Sequence, residues 1–192
     1  MGKKLTVKTL MTAFCLLAAC IPLTLVFAAS SIVTPKPCEL IANRNNFPVR
    51  VGVEGAEKGA QYWAAIATVQ TDSRAWAETL ELFERLKKNP KDKGVRSSLE
   101  KAVKAWKPVQ FWPKFLVSKS PHTYRLYDGG QNPLSGVEPQ PMLILVVKVD
   151  QNLHERIKAW FRDGEKNKWP GFSADDFAAQ YEIVARTEIF FP

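Results

Sequence analysis

The residue with the plainest chemistry is Cys20. It ends Leu17-Ala18-Ala19-Cys20, behind a basic start (Lys3, Lys4, Lys8) and inside a run from Thr9 to Pro35 without a charged side chain. Small residues before a cysteine at the end of an apolar run suit a lipoprotein signal peptidase, and the thiol then takes a diacylglycerol. Residues 1–19 would be the signal peptide and 20–192 a single periplasmic domain. Two other outcomes stay open. Val26-Phe27-Ala28 is a small-x-small site for cleavage after Ala28. The run also reaches the about 20 residues of a membrane helix, although Pro22 argues against an uninterrupted one.

Other reactive residues are sparse. The two histidines are His122 and His154. His154-Glu155 opens like a zinc-protease helix, but Lys158 stands where the second imidazole should be. His154 therefore reads as a solvated helix residue. Asp175-Asp176 are adjacent and would point about 100° apart on a helix, so Asp176 reads as a cap. No nucleophile elbow or phosphate-binding glycine loop occurs in the chain. Once Cys15 leaves with the leader and Cys20 is acylated, Cys38 is a lone thiol, expected to be buried. The expectation is no catalytic residue, no metal and no cofactor.

Charge gives the clearest binding signal. Lys+Arg is 27 against Asp+Glu 19, a formal net charge of +8. The excess gathers at Arg85, Lys87, Lys88, Lys91, Lys93, Arg96, Lys101, Lys104 and Lys107, opposed only by Asp92 and Glu100. Arg85, Lys88, Lys91, Lys93, Arg96 and Lys104 form a candidate basic patch with Trp106 and Trp112 at its end. Such a patch suits lipid headgroups or an acidic protein, and export argues against nucleic acid. A solvated outer face of two helices is the plainer reading.

These residues need elements to hold them. Ser30–Phe47 reads as a loop rich in proline and asparagine. Val49, Val51 and Val53 alternate as a half-buried strand. Residues 60–70 fit helix or strand equally. Trp76, Leu80, Phe83 and Leu86 stripe a helix from residue 72 or 73 to Asn89-Pro90. A second helix is predicted from Ser97, with Glu100 completing a capping box and Leu99, Val103 and Trp106 on its apolar face. Gln110–Lys119 and His122–Tyr127 read as strands, with Pro113 marking an edge or bulge. Asp128–Pro133 reads as a turn. Met142–Val149 suits a fully buried strand. A third helix follows, with Leu153, Ile157, Trp160 and Phe161 as its stripe and Gly164 as its C-terminal glycine. A short helix from Ser173 to Gln180 precedes a strand from Glu182 to Phe191, with Ile183, Ala185, Thr187, Ile189 and Phe191 on one face. The fold class is α+β, an antiparallel β-sandwich-like core with a helical insertion near residues 72–107.

With Cys20 as the lipid site, Leu23–Ser30 becomes a first strand, followed by Thr34-Pro35 and then Pro48-Val49-Arg50-Val51-Gly52-Val53. Ala159-Trp160-Phe161-Arg162-Asp163 with Trp169 lies near the end. These patches resemble the type VI secretion outer-membrane lipoprotein family, which has a transthyretin-like β-sandwich. The resemblance implies a non-enzymatic protein that links the outer membrane to an inner-membrane partner's periplasmic domain. It also implies a partner-binding loop over residues 33–47, with Val33, Pro35, Asn43, Asn45 and Phe47 as candidates. Ile21, a non-acidic residue after the acylated cysteine, fits outer-membrane sorting. The expected function is a lipid-anchored envelope protein, facing the periplasm from the outer membrane, that binds a protein partner such as a secretion-system component. A periplasmic binding, inhibitor or immunity protein is the alternative, and an envelope enzyme acting on cell wall is the third reading.

Overall fold

Two segments have no polar residue for six positions, Tyr62–Ala67 and Met142–Val147, and all twelve side chains are buried. Strands of that kind need cover on both faces. A computed structural model, which describes residues 30–127 and 139–191, shows how they obtain it. The strands in chain order are β1 (Ser31–Thr34), β2 (Glu39–Leu40), β3 (Phe47–Gly52) and β4 (Gln61–Gln70). After helices α1 (Ser73–Lys88) and α2 (Lys93–Val103) come β5 (Lys107–Leu116), β6 (His122–Leu126) and β7 (Gln140–Val149). Helix α3 (Gln151–Asn167), β8 (Phe172–Ser173) and β9 (Tyr181–Phe191) close the described chain.

A mixed six-stranded sheet, β2-β9-β7-β4-β5-β8, forms the middle layer. All its pairings are antiparallel except β2 with β9. One face carries Trp63, Ala65, Leu143, Leu145 and Phe190, which pack with Phe83, Leu99, Leu153 and Ile157 of the helices. The other carries Tyr62, Ile66, Ile144, Ile189 and Phe191, which pack with Val49, Val51 and Leu126 of a small antiparallel sheet, β1-β3-β6. The class is α+β, with two sheets packed face to face and the helical insertion between β4 and β5. Each fully buried Leu, Ile or Phe adds about 1.5–3 kcal/mol to such layers.

Aspartates start all three helices of the described residues. The carboxylates of Asp72, Asp92 and Asp150 accept from the N–H groups of Ala75, Val95 and Leu153 at 2.8, 2.9 and 2.7 Å. Arg186 of β9 then ties down the end of α2. It pairs with the buried carboxylate of Glu188 at 2.8 Å and donates to the carbonyls of Val103 and Trp106.

The structure corrects several expectations. Ser30–Phe47 is not all loop: β1 pairs with Arg50–Gly52 of β3, and β2 lies beside Ile189 and Phe190. Those partners are distant in sequence, so local composition could not reveal them. Helix α2 starts at Lys93 and not Ser97, because Asp92 already caps it. Helix α3 runs past Gly164 and ends where Lys168 turns left-handed, with φ of 56°. Residues 174–180 form turns and not a helix, although the Asp176 N–H still bonds Ser173 Oγ at 3.3 Å. Strand β9 does not keep Ile183 on the face of Ala185, since a bulge opposite Val146/Val147 shifts the register there. Pro113 sits beside a register shift in the β4–β5 pairing, as its type predicts. Cys20, the Leu23–Ser30 strand except Ser30 itself, and the Asp128–Pro133 turn lie outside the described residues. No helix among the described residues is long and apolar enough to cross a membrane.

Candidate functional site

The small sheet covers only part of the face it packs on. Thr68, Trp112, Phe115 and Met142 lie on that face by register, since Trp112 is opposite Ile66, Phe115 opposite Ala64 and Met142 opposite Thr68. They line a cleft of about 750 Å³. One wall is β6, which contributes Tyr124 and Arg125, with Tyr127 just beyond. Neighbours on a strand point to opposite faces, so the cleft runs along the edge of β6. The other wall is the end of α3 and the turn after it, with Trp160, Phe161, Lys168 and Trp169.

That second wall is an aromatic platform held from several sides. The Trp160 indole N–H donates to the Pro170 carbonyl at 2.8 Å, and the Trp112 indole N–H to the Trp169 carbonyl at 3.2 Å. Trp160 and Trp169 meet edge to face at 4.7 Å. Phe161 stacks on Trp63 at 5.6 Å, and the Trp63 indole N–H donates to His154 Nδ1 at 3.1 Å. His154 is therefore a buried support for this stack, which corrects its reading as a solvated residue. Gly164 is open space for Trp169: a Cβ there would lie 2.2 Å from Trp169 Cε3 and Cζ3. Trp169 (39%), Phe161 (37%) and Tyr127 (65%) are nevertheless exposed. Aromatic rings fixed in place yet open to water lose little freedom on binding.

Among the described residues, the charged side chains that line the cleft are Arg44, Lys114, Arg125 and Lys168. Arg44 donates to Gln140 Oε1 at 3.1 Å and lies 4.5 Å over the Phe191 ring. Arg125 donates to Asn46 Oδ1 at 3.0 Å. A second cleft of about 620 Å³ lies on the other flank of Pro170, with Arg156, Asp163 and Asp176. Its charges are already engaged in part, Asp163 with Arg162 and Arg156 over the Phe177 ring.

The residues singled out in sequence separate on the structure. Phe47 packs in the inter-sheet core against Phe191, and Pro35 is buried, so neither is open to a partner. Val33 and Asn43 are exposed, and Asn43 Oδ1 accepts from the Asn45 N–H in a local turn. Arg85, Lys88, Lys91, Lys93 and Lys104 face solvent on α1, α2 and their joint, with Arg96 half-buried. Cys38 is buried, and desolvation, then the charges of Glu188 and Glu100, push its thiol up to about 12. It is a core thiol and not a nucleophile. Among the described residues no group of three His, Cys, Asp or Glu could hold a metal ion. Sequence reading missed Trp169, Phe161, Tyr127 and Lys168 as a site. Its nearest signal was the density of tryptophan near Trp160.

No protein-family model, curated protein or solved structure matches the chain.

Proposed function

We propose that this protein is a lipid-anchored component of the cell envelope that binds a protein partner through the aromatic cleft and performs no reaction of its own. Cys20 would carry the lipid and hold the domain at the outer membrane, facing the periplasm. The observation that carries the reading is the platform of Trp169 and Phe161, exposed to solvent beside the partly buried Trp160 yet fixed by the Trp63–His154 stack, the indole donors and Gly164. Buried catalytic groups are not needed for such a surface, whereas aromatic anchors beside cations are what protein interfaces concentrate. The resemblance to type VI secretion lipoproteins makes a secretion-machine subunit the first partner to test.

Two substitutions in the full chain test the two halves. Cys20→Ser is expected to abolish lipid labelling and release the protein from the membrane fraction; unchanged fractionation would contradict the anchor. Trp169→Ala is expected to remove a co-isolated envelope protein, while Lys88→Glu on the basic helices leaves it bound. The opposite pattern would move the binding surface to α1 and α2.

A further inference from the structure

Among the described residues, strand β6 ends the small sheet, with β3 as its one neighbour. Among the described residues, no backbone group of His122–Leu126 bonds to any other element. Alternate N–H and C=O groups of this strand point away from β3 and have no backbone partner among the described residues, which is the template for another strand. That open edge runs along the aromatic and cationic cleft, because Tyr124 and Arg125 line the cleft from opposite faces of the sheet.

We infer that the cleft takes an acidic, extended segment of a partner protein, added as a fourth strand on β6. This rests on the protein-binding reading above and names what the partner presents. The strand edge supplies backbone hydrogen bonds that any sequence can meet. Side chains on one face of the added strand would meet Tyr127, Phe161 and Trp169, and acidic side chains would meet Arg125 and Lys168. Among the described residues, the lining is rich in donors and poor in acceptors. Thr68 and Gln140 are the neutral polar side chains there apart from tyrosine hydroxyls, and Gln140 Oε1 already accepts from Arg44. A glycan, whose hydroxyls need acceptors, fits this chemistry less well than carboxylates and peptide carbonyls do.

The test uses the full-length lipoprotein in detergent and its tryptophan fluorescence. The probes are the eight-residue peptide (Glu-Val)₄, its (Lys-Val)₄ counterpart, (Glu-Val)₄ N-methylated at alternate amides in each of the two phases, and an acidic oligosaccharide, oligogalacturonate. The acidic peptide is expected to bind at least tenfold more tightly than the basic one and to weaken with salt. One of the two N-methylated phases should lose at least tenfold, since only one set of amides faces β6. Arg125→Glu should weaken (Glu-Val)₄ by about tenfold, and Lys88→Glu should leave it unchanged. Equal binding of acidic and basic peptides, or no loss from either N-methylation phase, would overturn the inference. So would tighter binding of oligogalacturonate. If Trp169→Ala abolishes capture of the envelope partner while (Glu-Val)₄ neither binds nor competes, this inference fails and the protein-binding reading stands.

Discussion

Gly164→Ala is a small change with opposed effects that the structure allows to be separated. In a helix interior, alanine is favoured over glycine by about 1 kcal/mol. Here the new Cβ would sit 2.2 Å from two ring carbons of Trp169 and 2.6 Å from a third, Cδ2. The indole as a whole must shift, and such overpacking costs about 1–3 kcal/mol. Net destabilisation should therefore fall between zero and about 2 kcal/mol. For a chain of this size that is a fall of Tm of at most about 8 °C. The sharper readout is the ring itself: near-UV circular dichroism should change, tryptophan emission should shift to the red, and partner capture should fall. In a Trp169→Ala background the same substitution loses its clash and should stabilise by about 1 kcal/mol. The double-mutant cycle then gives a coupling of about 1–3 kcal/mol between the two positions. Gly164→Ala that stabilises the wild-type background by about 1 kcal/mol with unchanged near-UV dichroism would refute the packing of Trp169 on α3.

Three further outcomes follow from named contacts. Phe47→Ala should cost about 3–5 kcal/mol in urea unfolding, as expected for an emptied core site, whereas Val33→Ala, half-exposed at 51%, should stay within about 0.5 kcal/mol. Asp92→Ala should cost about 1 kcal/mol by removing the cap of α2, and Ser97→Ala should cost much less; equal effects would mean the helix starts elsewhere. Cys38 should resist thiol reagents at pH 8 until the chain unfolds. Its thiol titrates near 9.0 when unfolded and about 12 when folded. The unfolded state thus gives up the proton first, and stability is full below pH 9 and lost as pH rises toward 12. The Cys38 share of that slope is at most about 1.4 kcal/mol per pH unit, read as the difference in unfolding free energy from a Cys38→Ala variant.

Local signals were legible where one face of an element is wet. The α1 stripe places Phe83 and Leu86 in the core, and the valines of β3 alternate as their burial does. Residues 61–70 defeated the same method because Tyr62–Ala67 are buried on both faces of β4, so no period survives. Strands β1 and β2 exist through partners far along the chain, and β9 changes face at a bulge that only the β7 register exposes. The basic patch was conspicuous because its charges are close together in sequence. The cleft was not, since its residues come from separate segments between Arg44 and Trp169. Phe161 and Trp160 read as ordinary stripe residues of α3, and nothing local tells that Phe161 and the later Trp169 remain 37% and 39% exposed.

The central claim is that the partner sits on the aromatic cleft. Photo-crosslinking in the intact envelope tests it most directly, with a photoreactive amino acid placed singly at Tyr127, Trp169, Val33 and Lys88. One protein should be trapped from Tyr127 and Trp169 and not from Val33 or Lys88. Trapping from Val33 or Lys88, with none from the cleft positions, would contradict the account.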